Sequence, residues 1–101
     1  MKPGMRKALT RLEALLEDEV LTSDLGVRVH GDHLILSREE EVDSGECIRD
    51  DRVRLTKLGA TQWGLSVKRH TGRWERTPYA GTMEEMVDAM LAFMQHLIAP
   101  Y

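Results

Sequence analysis

His30, Asp32 and His33 crowd one short stretch around Gly31-Asp32, and imidazole with carboxylate is a donor set for a divalent metal. A tight turn at Gly31-Asp32 brings the two rings face to face. A stable site needs further protein ligands, however, and none lies nearby in the sequence. These residues are therefore read as polar groups at a hairpin end. His70, beside Thr71-Gly72, and His96, on the polar side of a helix, are read as surface residues.

Cys47 stands between Glu46 and Asp50-Asp51, and negative neighbours raise a thiol's pKa and suppress the nucleophilic thiolate. Ser66 lies in Gly64-Leu65-Ser66-Val67-Lys68, which lacks the second glycine of a nucleophile elbow. No glycine-rich phosphate loop or dinucleotide fingerprint occurs, and Glu39, Glu40, Glu41 and Asp43 fit no calcium-loop spacing. The expectation is a protein that is not an enzyme, with no metal and no cofactor.

The basic residues carry more information. Residues 49–76 hold eight cations (Arg49, Arg52, Arg54, Lys57, Lys68, Arg69, Arg73, Arg76) against three acids (Asp50, Asp51, Glu75), a net of +5. Residues 37–46 hold five acids (Glu39, Glu40, Glu41, Asp43, Glu46) against Arg38, a net of -4. Arg52, Arg54, Lys68, Arg69, Arg73 and Arg76 are positioned to track phosphates, and an aromatic on the same face would stack on a base. The competing reading is a solubilising face whose arginines pair with Glu75, Asp50 and Asp51. The overall charge of -3 favours that plainer reading.

Length and composition bound the rest. A chain of 101 residues supports one domain with one core. Its 42% apolar and 31% charged content is that of an ordinary globular protein. Apolar runs are too short to span a bilayer, and Thr10, Arg11 and Glu13 stand where a signal peptide needs an apolar block. With a single cysteine, the chain reads as cytoplasmic. Asparagine is absent and arginine outnumbers lysine ten to four, which is read as genome composition or heat tolerance and not as function.

The elements follow from periodicity. Met5, Leu9, Leu12, Leu16 and Val20 draw one apolar stripe and predict a helix over 5–21. Its charges oppose the helix dipole, with Arg6, Lys7 and Arg11 early and Glu17, Asp18 and Glu19 late. Strands follow at Leu25–His30 and His33–Ser37, joined by a type II′ turn that pairs Val29 with Leu34 and Val27 with Leu36. Residues 38–51 fit either an acidic loop or a continued ribbon turning at Asp43-Ser44-Gly45. Strands resume near Arg52 and again at Gln62, where Trp63, Leu65 and Val67 alternate with polar residues.

After Thr71-Gly72, either of two hairpin registers considered places Trp74 with Trp63 on the core side. Arg52, Arg54, Lys68, Glu75, Thr77 and Tyr79 then share the opposite face, with Gly64 beside Tyr79. Thr82-Met83-Glu84-Glu85 fits a capping box and opens a final helix that Pro100 closes. The predicted fold is α+β, in the order α-β-β-β-β-β-α. It is a five-stranded antiparallel meander with the N- and C-terminal helices packed on one face.

Met86, Met90 and Met94 repeat every fourth residue on the last helix, on an apolar face wider than one thin sheet requires. Core packing is the first reading of this row, and Met90 and Met94 are candidates for contact with a partner if part of the face stays open. The leading reading is a domain that binds protein, as a homodimer, with the acidic segment of one subunit against the basic sheet of the other. The alternative is a nucleic-acid-binding module using the basic sheet face.

Overall fold

A computed structural model of the chain describes residues 4–41, 43–69 and 71–98. The element order is α1 (Met5–Glu17), β1 (Gly26–His30), β2 (His33–Glu41), β3 (Cys47–Lys57), β4 (Trp63–Lys68), β5 (Trp74–Gly81), α2 (Met83–Phe93) and α3 (Gln95–Ile98). The five strands form one antiparallel meander in the order β1-β2-β3-β4-β5, with the helices on one face. The side chains of Cys47, Leu97 and Ile98, together with His70 and Pro100, lie outside what is described.

The core lies between the helices and the inward side chains of the central strands. Leu34 and Leu36, Val53 and Leu55, and Trp63 and Leu65 meet Met5, Leu12 and Leu16 of α1 and Met83, Met86, Val87 and Met90 of α2. The helix α1 stops at Glu17, short of the predicted Leu21. Thr22, fully buried, donates its hydroxyl proton to the Leu16 carbonyl at 2.7 Å, so a local turn takes over the helix's last acceptors. Val20 consequently leaves the apolar stripe and stands exposed.

The first hairpin has the predicted register, Val27 opposite Leu36 and Val29 opposite Leu34. Gly31 has φ 61° and, among the described residues, no residue other than glycine has positive φ, which is the type II′ signature. Residues 38–51 form the ribbon and not the loop: β2 runs to Glu41 and β3 begins at Cys47, opposite it. A bulge interrupts this pair, with Leu36 facing Val53 and Ser37 facing Asp51, so that Arg52 is the extra residue.

The β4–β5 hairpin departs from both predicted registers by one residue. Arg69 N–H donates to the Arg73 carbonyl at 2.9 Å, and Gly72 N–H donates to the Arg69 carbonyl at 2.8 Å. With Gly72 at φ 86°, this closes a three-residue loop that sets Lys68 opposite Trp74 and Val67 opposite Glu75. A one-residue slip exchanges the faces of a strand. Trp74 therefore leaves the core and joins Lys68 on the open face of the sheet, while Glu75 moves to the helix side.

A second bulge follows. Gly64 pairs with Ala80 and Ser66 with Arg76, so Leu65 alone faces Thr77, Pro78 and Tyr79. Thr77 Oγ1 donates to the Leu65 carbonyl at 2.8 Å, and Pro78, which has no N–H to offer a ladder, occupies the bulge. Because the bulge adds two residues, alternation is preserved, and the slipped register puts Tyr79 on the helix side, where it stacks on Phe93 of α2 with centroids 5.6 Å apart. Gly64 is covered by Leu58 and not by an aromatic.

The capping box at Thr82 is present in both halves. Glu85 N–H donates to Thr82 Oγ1 at 3.2 Å, and Thr82 N–H donates to Glu85 Oε1 at 2.9 Å. The final helix is broken in two at Met94, whose side chain is buried while Gln95 Nε2 donates to the Leu91 carbonyl at 2.8 Å. Replacing Thr82 by Ala removes the acceptor for Glu85 N–H. We expect a loss of about 1 kcal/mol in urea unfolding, with no change in the fold by circular dichroism.

Candidate functional site

Strand pairing builds one row straight across the open face: Arg28, Ile35, Arg54, Ser66 and Arg76 stand side by side on β1 to β5. Strands lie about 4.8 Å apart, so the three arginines recur at roughly 10 Å intervals. Ile35 and Ser66, both buried, fill the space between their stems. A parallel row brings Ser37, Asp51, Lys68 and Trp74 together.

The charges on this face are unevenly satisfied. Arg28 grips Asp51 with two hydrogen bonds, of 2.6 and 2.8 Å. That bond holds the Asp51 carboxyl below its usual range, helped by Lys68 and Arg49, and holds the Arg28 guanidinium above its own. Lys68 Nζ lies 3.8 Å from Asp51. Arg54 differs. Among the described residues no carboxylate pairs with it, and its Nε is buried with no hydrogen-bond partner. Burial, with the repulsion of Arg76, pushes its pKa down.

Arg54 rests instead on Trp74, its guanidinium carbon 4.8 Å from the ring centroid, and Lys68 Nζ approaches the same ring to 5.8 Å. Cation–π contact supplies part of what a carboxylate would. The arrangement is a flat π surface edged with uncompensated positive charge, near a cavity of about 200 Å³ whose lining joins Thr56, Ser66, Arg76 and Thr77 to the apolar Leu58, Leu65 and Pro78.

The residues singled out from the sequence fall into three groups. Arg54, Lys68 and Arg76 are brought together on the open face. Arg52 sits at the bulge, bound to Asp50 at 2.8 Å, and Arg73 lies exposed at the hairpin end. Met90 and Met94 are 0% and 5% exposed, so they fill the core and present nothing to a partner.

The opposed charges also meet within this one chain. Arg49 lies 3.8 Å from Glu39, and Arg69 lies 2.6 Å from Glu75. His30 does face His33, but His33 Nδ1 is within hydrogen-bonding distance of Thr56 Oγ1 at 2.9 Å. Among the described residues no group of three or more His, Cys, Asp or Glu is placed to hold a metal.

Two members of the face were missed by the sequence reading. Arg28 alternates with Val27 and Val29, a signal that was legible. Trp74 was hidden by the hairpin register.

Fold and face together define a small α+β domain whose meander sheet is packed by helices on one side and carries a basic, aromatic surface on the other. Residues 5–96 match the family described as a domain of unknown function (DUF3024), and the chain belongs to that family. Comparison with curated proteins and with solved structures returned no match.

The Arg28–Asp51 pair predicts a pH dependence. Folding lowers the Asp51 pKa, so the unfolded chain binds more protons and stability rises with pH in that range. The contribution is complete above the unfolded value of about 3.9 and is lost as pH falls through the folded value. Asp51→Asn should lower the urea midpoint at pH 7. It should also shrink the further drop between neutral pH and about pH 3, leaving the part that Asp24 and Glu85 contribute by the same mechanism.

Proposed function

We propose that this domain is a binding module whose open sheet face takes single-stranded nucleic acid. The observation that carries the reading is Arg54, a half-buried cation without a carboxylate, laid on Trp74 beside Arg76. A phosphate would neutralise this charge, and a nucleobase stacks on aromatic rings and arginine planes alike. The arginine row gives the backbone a track, and the small adjacent cavity, largely apolar with hydroxyls of Thr56, Ser66 and Thr77 in its lining, suits the edge of a base or sugar. The single cysteine agrees with a reducing, cytoplasmic setting, and no described helix is long and apolar enough to cross a membrane.

A second reading, a homodimer acting by protein contact, has one supporting observation. Phe93 is 63% exposed although stacked on Tyr79, beside the unpaired edge of β5. Sedimentation velocity at high micromolar concentration tests it, and a strict monomer removes that reading.

For the nucleic-acid reading, fluorescence polarisation with mixed-sequence single-stranded RNA and DNA is the direct measurement. Arg54 and Arg76 with partial help from Lys68 predict a log–log salt slope of roughly -2. Trp74→Ala should weaken binding about tenfold, the range of one lost stacking contact, and Arg54→Glu with Arg76→Glu should abolish it. Absence of any binding at low salt ends the proposal.

A further inference from the structure

A separate cavity, of about 450 Å³, opens on the helix side of the sheet, between the start of α1, the start of α2 and the loop after β3. Its floor is apolar: Trp63 and Met83, both nearly fully buried, with Ala8 beside them. Its rim is cationic, formed by Lys7, Arg11 and Lys57. Glu84 is the one acid in the lining, and it is ion-paired with Arg11. Lys7 and Lys57 have no carboxylate partner among the described residues. The cavity thus carries two uncompensated positive charges over an aromatic floor.

Among the described residues no further acid in the cavity lining relieves that charge. The first turn of α1 contains no acid, and its N-cap, Gly4, offers no side-chain hydrogen bond. Lys57 Nζ lies 3.2 Å from the point where a side chain on Gly4 would begin, so a lysine is held against the positive end of a helix. For protein stability alone this is the wrong sign of charge. For an anion seated among the three cations it is the right one.

We propose that this cavity binds a small phosphate ester with a flat ring at its other end, the chemical class of nucleoside monophosphates. A phosphate near charge -2 matches the two uncompensated ammonium groups, and Thr61 on the rim adds a hydroxyl donor. The ring lies over Trp63 and Met83. The volume falls in the range of small-molecule sites. The site is independent of the open face, since Trp63 and Lys68 point to opposite sides of the same strand.

Amide-resolved NMR titration of the full-length chain with AMP, and separately with inorganic phosphate, tests this. Saturable shifts confined to Lys57, Thr61, Thr82 and their neighbours are expected, with a dissociation constant below about 1 mM for AMP. Lys7→Ala with Lys57→Ala should weaken binding at least about tenfold, as loss of charge-assisted contacts does, while Arg54→Glu leaves it intact.

Lys57→Gln, the milder change, serves if the double variant loses its circular dichroism spectrum. No shifts at about 10 mM AMP, shifts centred on Trp74 and Arg76, or lysine variants that bind unchanged would each overturn the proposal. Phosphate binding as tightly as AMP would overturn the role given to the Trp63 floor.

Discussion

Two backbone hydrogen bonds at the β4–β5 turn decide what the surface of this protein is. Arg69 N–H to the Arg73 carbonyl and Gly72 N–H to the Arg69 carbonyl fix a three-residue loop. Gly72 at φ 86° is the residue that permits it, because a left-handed conformation is open to glycine at little cost. Everything on β5 up to its bulge inherits its face from that closure. Trp74 and Arg76 go to the open side, where Arg54 and Lys68 already stand. A loop of two or four residues would have buried the tryptophan and left an arginine surface with no aromatic.

A bulge performs a second sorting. At Arg52 the extra residue lets Asp51 share a face with Arg28, where it becomes the anion that Arg28 grips and Lys68 approaches. Bulges commonly re-aim side chains in this way. At Thr77-Pro78 two extra residues leave the alternation intact, so Arg76 and Ala80 keep the open face and Tyr79 keeps the helix side that the turn assigns to it.

Much of the fold was legible because its signals were local and agreed with one another. The type II′ turn, the alternation of Val27 and Val29 against Leu34 and Leu36, and the capping box at Thr82 each report on a few residues. What was not legible depended on counting across a pairing. The β4–β5 register turns on whether two, three or four residues close the loop, and Thr71-Gly72 serves more than one of those closures. The extent of α1 was misread because Val20 continues the apolar spacing, whereas Thr22 ends the helix through a bond six residues back. The methionine row was read first as core, with part of that wide apolar face left for a partner. All three are buried in the common core with α1 and the sheet, and Met90 has no exposure left.

Comparison of Arg38 with Arg54 separates structure from function on the two sides of the sheet. Both are arginines on central strands with little access to water around their stems. Arg38, on the helix side, donates to the Asp24 carboxylate and to the Leu21 carbonyl at 2.6 Å, and so ties the segment after α1 down onto β2. Its charge is answered within the fold. Arg54 meets an aromatic ring and a second cation, and its pKa falls because burial and Arg76 both oppose its charge. A half-buried charge with no carboxylate partner carries a desolvation cost that the contact with Trp74 offsets only in part. An arginine kept where it weakens the fold is accounted for when an anion completes the site, and the open face beside Trp74 is where that anion has room to approach.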